Sequence, residues 1–500
     1  MTNKVLLIIL DGFGEGPDSP GNAVTRANTP NIDELRAKYP HSILQCTGEA
    51  VGLTKGAMGG SEVGHCTIGA GRIVPQFLLA INNSIKDSSF YDNPALKGAF
   101  EHAKKGGKLH LMGMISDEGV HSHIDHLFAL LEWAKKEDLK DVYIHCIADG
   151  RDVEERSVKE FLTKLQNKID ELGVGKIATL IGRYFSMDRD TNWDRTEKGY
   201  RLLTMGEGDE FENVMTAVDH HYSEDSKLTD YYIPPTLINK NGLVEKDDAL
   251  IFFNYRTDRT AQLTDAFTIS NFDKFKTGKS PHFICMGPYS EIAPVAFDVP
   301  KVENNLGSWL SQKGIHQLRI AETEKFAHVT FFFNSQKEDP YPLEDRILVN
   351  SPKVPSYDQK PEMSAPEVAE KTIEALKNSK HEVIIVNFAN GDLVGHAGDL
   401  KPTIKAVETL DELVGKIYHQ AMESSYTMLI TADHGNCDEM LYEDGSNKPA
   451  HSMNPVMFLA ADPNSTIQKT HDGGLCNIAP TILKLLDLPK PDEMTGESPI

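Results

Sequence analysis

The chain is poor in positive charge. Its 51 Lys+Arg face 74 Asp+Glu, giving a formal net charge of −23 and a pI near 5.3. That balance excludes a general nucleic-acid or anionic-membrane binder, because phosphate backbones reward Lys and Arg. Paired cysteines are also missing. The six (Cys46, Cys66, Cys146, Cys285, Cys437 and Cys476) are scattered with no CxxC spacing. Neither a zinc knuckle nor a disulfide framework is expected, and reduced thiols in the cytoplasm are the simplest account. Long hydrophobic runs are absent. The apolar start, Val5 to Leu10, is shorter than a signal-peptide core, and nothing approaches the roughly 20 apolar residues of a membrane span. There is no internal repeat and no low-complexity tract. A composition of 40% hydrophobic and 25% charged residues over 500 positions excludes a largely disordered chain. At roughly 100–200 residues per domain, two to four domains are expected.

One pattern recurs. A β-branched, apolar run stops at Asp, Asn, Arg or His, commonly beside Gly. The cases are 5–12, 109–117, 141–152, 176–185, 248–259, 382–392 and 426–435. Continuous apolar runs suit strands buried on both faces, as in parallel sheets. Helical stretches lie between them. SAPEVAEKTIEALKNSK (364–380) opens with a capping-box pattern, Ser364 to Glu367, with Pro366 in the first turn. Residues 402–425 place Ile404, Val407, Leu410, Leu413, Val414 and Ile417 at helical spacing. Strand–helix alternation predicts an α/β fold, in which ligands bind beyond the carboxyl ends of the strands.

Those ends carry the chemistry. Asp11 closes the first run, Asp392 and His396 follow another in NGDLVGHAG, and Asp433 and His434 close a third in TADHGN. His451 follows in AHSMNP. Mixed Asp and His suit a divalent metal such as Mn, Zn, Co or Fe. Asp-x-x-x-His at 392 and 396 puts both groups on one face of a turn or helix start. The glycine-rich KGAMGGSEVGH (55–65) contains one hydroxyl, Ser61. It is neither a Walker A loop nor a GxSxG elbow, so a working Ser61 needs activation from elsewhere, which a metal supplies by stabilising the alkoxide. The middle of the chain provides Arg151, Arg183, Arg189, Arg256 and Arg259 at or just after strand ends. Five arginines there in an acidic protein suggest an anion pocket. His121 and His123 offer acid/base or ligand groups nearby, and Lys325 a further cation.

The chain resembles the cofactor-independent phosphoglycerate mutases of the alkaline-phosphatase superfamily, nearly end to end. The motifs are DGFG (11–14), MGGSEVGHCTIGAGR (58–72), SDEGVHSHIDHL (116–127), DGRD (149–152), GRYFSMDRD (182–190) and NYRTDR (254–259). RIAETEKFAHVTFFFN (319–334), NSPKVPSYDQKPEMSA (350–365), NFANGDLVGHAG (387–398) and TADHGN (431–436) extend the match.

The resemblance implies two α/β domains. A phosphatase-like metal domain would comprise 1–75 and 303–500, and a phosphotransferase domain, 76–302, would be inserted into it. It also implies that Asp392, His396 and His451 hold one divalent ion, and that Asp11, Ser61, Asp433 and His434 hold a second. Mn²⁺ is the expected metal, with Co²⁺ or Mg²⁺ as alternatives. Ser61 would be phosphorylated in turn, with no 2,3-bisphosphoglycerate required. His121, Arg151, Asp152, Arg183, Arg189, Arg256, Arg259 and Lys325 would contact substrate, Asp152 acting as base with His121 assisting. The implied reaction interconverts 3- and 2-phosphoglycerate, in a cytoplasmic monomer with no nucleic-acid or membrane partner. The alternative on the same core is a metal-dependent phosphohydrolase or another phosphomutase, which would not need the arginine-rich insert. Gly60, Thr67 and Glu118 depart from the usual family pattern without removing a ligand or the nucleophile.

Overall fold

The computed structural model describes residues 3–500. They form two compact units, each built on one sheet. The first is the chain up to Gln76 together with Pro300–Ile500, and the second is Phe77–Val299.

The first unit's eight-stranded sheet runs Glu344–Val349, Gln317–Glu322, Val383–Phe388, Lys4–Leu10, Tyr426–Thr431, Val456–Ala461, His41–Gln45 and Gly473–Gly474. The first five strands are mutually parallel. Val456–Ala461 is antiparallel to both neighbours, so the sheet is mixed rather than wholly parallel. The three central strands read as unbroken apolar runs because helices cover both faces. Val5 to Leu10, Val383 to Val386 and Met428 to Ile430 have essentially no exposed surface. Their register aligns Ile9 with both Asn387 and Thr431. The residues just past these positions, Asp11, Asp392 and Asp433, therefore leave the sheet at one edge.

Gly12 makes that convergence possible. Its φ is +73°, and a Cβ there would lie 2.7 Å from the Asp392 backbone. Only glycine takes that turn while letting two strand ends approach so closely. Gly64 plays a similar part on the helix Ser61–Ala70, where a Cβ would lie 2.8 Å from the Asp433 carbonyl.

Two predicted helices form with altered starts. Leu400–Glu423 begins two residues early because Asp399 caps it, accepting from Lys401 N at 3.0 Å. Ala365–Asn378 forms, but the capping box does not. The Ser364 hydroxyl donates instead to the Asn350 carbonyl at 2.7 Å, tying the helix start to the preceding strand.

The second unit's sheet runs Asp209–Glu210, Thr236–Leu237, Lys176–Gly182, Val142–Ala148, Leu109–Met114, Ala249–Phe252 and His282–Cys285. It is parallel except where Thr236–Leu237 meets Lys176–Gly182. Among the described residues, no helix is long and apolar enough to cross a membrane.

Candidate active site

In the first unit, the Asp and His residues singled out from the sequence meet at the carboxyl ends of the central strands. Ser61 opens the helix Ser61–Ala70 behind the extended Gly60, so its hydroxyl sits at the positive end of the helix dipole. Ser61 Oγ lies 3.1 Å from Asp11 Oδ1 and 2.9 Å from His434 Nε2. Lys325 Nζ donates to Ser61 Oγ at 2.7 Å, Asp11 Oδ1 at 2.7 Å and Asp392 Oδ2 at 2.6 Å. Lys325 projects from the short helix Thr323–Ala327, which widens at once into a π turn, His328–Phe332. Such turns are frequent at functional sites. Lys325 thus joins the serine cluster rather than the arginines with which the sequence reading grouped it. A cavity of about 400 Å³ opens beside Ser61, lined by Met58, Gly59, Gly60, His328, Asp392, His396 and His451 among others.

The donor set fits divalent ions. Asp392 Oδ1 is 3.2 Å from His396 Nε2 and 3.2 Å from His451 Nε2, and the two imidazole nitrogens are 3.2 Å apart. Ligand atoms of a tetrahedral ion bound at about 2.0–2.1 Å lie roughly 3.4 Å apart. The remaining ring nitrogens are committed to carbonyls: His396 Nδ1 to Pro449 O and His451 Nδ1 to Gly59 O, both at 2.7 Å. Those bonds put the protons on Nδ1 and leave the Nε2 lone pairs converging. Asp11, Asp392 and His434 form a second group whose ligand atoms lie within 4.8 Å of one another. Asp433 Oδ2 is 3.5 Å from His434 Nε2, and its Oδ1 accepts from Gly12 N at 3.3 Å.

The charges are strongly coupled. Burial opposes ionisation of Asp392, but Lys325 and the imidazoles of His396 and His451 hold its carboxyl well below the usual range. Burial works the same way on Asp433, where His434, His65 and Lys325 prevail. Asp11 goes the other way, pushed up by burial and by the Asp433 charge. Lys325 stays protonated, because the carboxylates outweigh its burial.

In the second unit, His121, Asp152 and Arg183 form one hydrogen-bonded group. Arg183, almost fully buried, donates to Asp152 Oδ2 at 2.6 Å, Asp149 Oδ1 at 2.5 Å and His121 Nε2 at 2.9 Å. That last bond makes His121 Nε2 an acceptor. Burial and the Arg183 charge push the His121 pKa down to about 4. Arg256 and Arg189 both pair with Asp258, at 3.0 and 2.9 Å. Arg259 donates to the Met187 carbonyl at 3.1 Å. Arg151 is exposed, with only its backbone N bonded to Asp149, at 3.3 Å. His123 has a structural job instead: it caps the helix Ile124–Lys136, accepting from Asp125 N at 3.2 Å.

Comparison with known proteins decides the family. The chain is 48% identical to the 2,3-bisphosphoglycerate-independent phosphoglycerate mutase of Moorella thermoacetica, covering 100% of this chain and 98% of that one. It is 47% identical to the protein of the same name from Acetivibrio thermocellus, covering 99% and 98%. The chain belongs to this family. The family model for the BPG-independent PGAM N-terminus matches residues 81–291. A crystal structure of Leishmania mexicana phosphoglycerate mutase at low cobalt concentration matches with a TM-score of 0.62 and 31% identity, covering 99% of this chain and 97% of that one.

For a phosphoglycerate mutase, several residues near the site gave little warning in the sequence. Asp149 and Asp258 organise the arginines; both sit inside the DGRD and YRTDR motifs, where only the neighbours were singled out. Asn436 Nδ2 donates to Asp392 Oδ1 at 3.3 Å. His65 and Asn387 reach the aspartates from behind; His65 follows Ser61 by four residues, one helical turn, which is a readable signal.

Proposed function

We propose that this chain interconverts 3- and 2-phosphoglycerate through a phosphoserine on Ser61, without a 2,3-bisphosphoglycerate primer. The observation that carries the reading is the environment of Ser61 Oγ. A buried hydroxyl at a helix N-terminus contacts Lys325 Nζ, Asp11 Oδ1 and His434 Nε2 together. That surrounding suits a nucleophile held for attack on a phosphoryl group rather than a turn serine.

Two divalent ions fit this reading: Asp392, His396 and His451 would hold one, and Asp11, Ser61, Asp433 and His434 the other, Asp11 and His434 also belonging to the Asp11, Asp392 and His434 group. Mn²⁺ fits carboxylates mixed with imidazoles, and the Leishmania relative was studied with cobalt. When bound, the ions supply charge neutralisation at the phosphoryl oxygens and lower the cost of the serine alkoxide. Lys325 holds Ser61 Oγ in place and presents its ammonium where negative charge builds on the transferring group. The helix dipole adds to it.

The unit Phe77–Val299 supplies the glycerate-handling groups. Arg151, Arg189, Arg256 and Arg259 offer planar donors to a carboxylate. Asp152 accepts the hydroxyl proton and returns it, and Arg183 holds both Asp152 and His121 in orientation. His121, neutral because of its depressed pKa, donates or accepts a hydrogen bond rather than carrying charge. The first unit, up to Gln76 and from Pro300, is the metal domain in this reading. A cytoplasmic monomer acting on small phosphorylated acids completes the proposal.

The test is a coupled assay following 2-phosphoglycerate onward. Chelated enzyme should be inactive, and Mn²⁺ should restore it with no bisphosphoglycerate added. Full turnover by rigorously metal-free protein would refute the reading, and phosphate release in place of isomerisation would favour the phosphohydrolase.

A further inference from the structure

His65 has no part in the reaction as described, yet it is fully buried behind the serine. Its Nδ1 lies 2.8 Å from the Ser61 carbonyl and 3.2 Å from Asp433 Oδ2. Its Nε2 lies 3.0 Å from Asn387 Nδ2, and the same amide nitrogen donates to Asp11 Oδ2 at 2.8 Å. The Asn387 amide cannot be turned over, since that would set its oxygen against the Asp11 carboxylate. Both amide hydrogens are therefore used, one on Asp11 and one on His65. It follows that Nε2 accepts and that the imidazole proton sits on Nδ1, donated to the Ser61 carbonyl with the Asp433 carboxylate 3.2 Å away.

One chain of contacts thus runs from Asp433, 3.2 Å from His65 Nδ1, through the hydrogen bonds of His65 and Asn387 to Asp11. Its members come from the strand ends at 431 and 10, from the strand between 383 and 388, and from the helix that carries Ser61. His65, Asp11 and Asp433 lie close enough to be read as a metal group themselves. The bonding argues otherwise: Nδ1 is a donor and Nε2 is occupied by Asn387, so neither nitrogen offers a free lone pair.

We propose that His65 and Asn387 are positioning residues that fix the separation and orientation of Asp11 and Asp433 as metal ligands and lock the first turn of the Ser61 helix to them. This rests on the metal reading above. It explains why an amide, not a carboxylate, stands at 387: the position must donate on both sides. It also explains a histidine at 65, whose two nitrogens span from Asp433 to Asn387. Partners of this kind, one shell beyond the ligands, typically change metal affinity or activity about 10- to 100-fold.

The experiment uses the full chain and Mn²⁺ alone as probe, with calorimetric titration and pulsed electron paramagnetic resonance of the bound ion. Asn387→Asp is nearly isosteric and removes the donation to Asp11. His65→Gln removes Nδ1–H. Each should weaken the tighter Mn²⁺ equilibrium about 10- to 100-fold and lower kcat at fixed Mn²⁺, with KM for phosphoglycerate unchanged. The number of histidine nitrogens coupled to Mn²⁺ should equal that of the wild type in both. His65→Asn, which restores a donor near the Nδ1 position, should recover part of the affinity. If His65→Gln does not fold, Asn387→Asp decides alone. Wild-type affinity in Asn387→Asp overturns the proposal. So does loss of one coupled nitrogen in His65→Gln, which would make His65 a ligand. Absence of Mn²⁺ binding by the wild type would overturn the metal reading itself.

Discussion

Replacing Lys325 by methionine removes one ammonium from three partners while nearly preserving volume. Lys325 Nζ lies 2.7 Å from Asp11 Oδ1 and 2.6 Å from Asp392 Oδ2, and all three side chains are at most 4% exposed. Breaking a buried ion pair from one side typically costs about 3–5 kcal/mol, because the abandoned carboxylates stay buried. At this size roughly 2 °C accompanies each kcal/mol, so metal-free Lys325→Met should melt about 6 °C or more below the wild type. Saturating Mn²⁺ should narrow that gap by more than half, since a divalent ion compensates the same carboxylates. The activity should not recover with the stability. Losing one preorganised donor at a site of developing charge costs about 10²–10³ in kcat. The assays are thermal melts with and without Mn²⁺ beside the coupled mutase assay. Equal melting deficits in both conditions, or near-wild-type kcat with Mn²⁺ present, would refute this account of Lys325.

Three further outcomes follow from the same geometry. Asp392 raises the pKa of His396, and raises that of His451 against burial, above the ordinary histidine value of about 6.5. Protons therefore compete with metal from higher pH: Mn²⁺ affinity should fall as pH drops through 7 and excess Mn²⁺ should restore activity, whereas a pH-independent affinity would contradict this. Asp438 accepts from Ser452 Oγ at 2.9 Å and Asn454 Nδ2 at 2.7 Å, pinning the segment that carries His451. Asp438→Ala should weaken Mn²⁺ activation about tenfold or more, and an unchanged Mn²⁺ titration would remove Asp438 from that role. In the unit Phe77–Val299, His110 and His145 hydrogen-bond at 2.9 Å, with Asp248 and Thr179 at the ends of the chain. Burial pushes both histidine pKa values down. The unfolded chain thus binds more protons below about pH 6.5, so this unit's stability is present above that pH and is lost as pH falls. Denaturant unfolding across pH 5–8 should show the slope in the wild type and a weaker one in His145→Met; a flat wild-type profile would contradict it.

The central strands were legible because burial on both faces forbids polar interruptions, and the switch to Asp or Asn marks the sheet edge. The strand Gln317–Glu322 was not, because it carries Gln317, Arg319 and Glu322 inside. Arg319 is tolerated there by donating to Gln317 Oε1 at 2.7 Å and lying 4.4 Å over the Phe333 ring. His41–Gln45 lies near the sheet edge, half exposed, with no apolar run to read. Val456–Ala461 is apolar and stops at Asp462 like the others, but nothing in one strand announces antiparallel pairing. At the site, Asp11, Asp392, His396, Asp433, His434 and His451 could be picked out by type and position. Lys325 could be recognised as a cation but not placed, since its neighbours in space lie far away in sequence. Asn387 was invisible for a related reason: its importance is a hydrogen-bond geometry, and an asparagine is ordinary in a core; His65 was signalled only by its place one helical turn after Ser61.

The central claim is that Ser61 carries the phosphoryl group between substrate positions. The most direct measurement is intact-protein mass spectrometry after rapid quench of Mn²⁺-loaded enzyme with 3-phosphoglycerate and no bisphosphoglycerate. The account predicts a single added phosphoryl group, mapped to Ser61 by fragmentation, in the wild type. Ser61→Ala should show neither that mass increment nor measurable isomerisation while folding and retaining the Asp392, His396 and His451 site. Isomerisation by Ser61→Ala at a substantial fraction of the wild-type rate, or a phosphoryl group mapped to another residue, would contradict it.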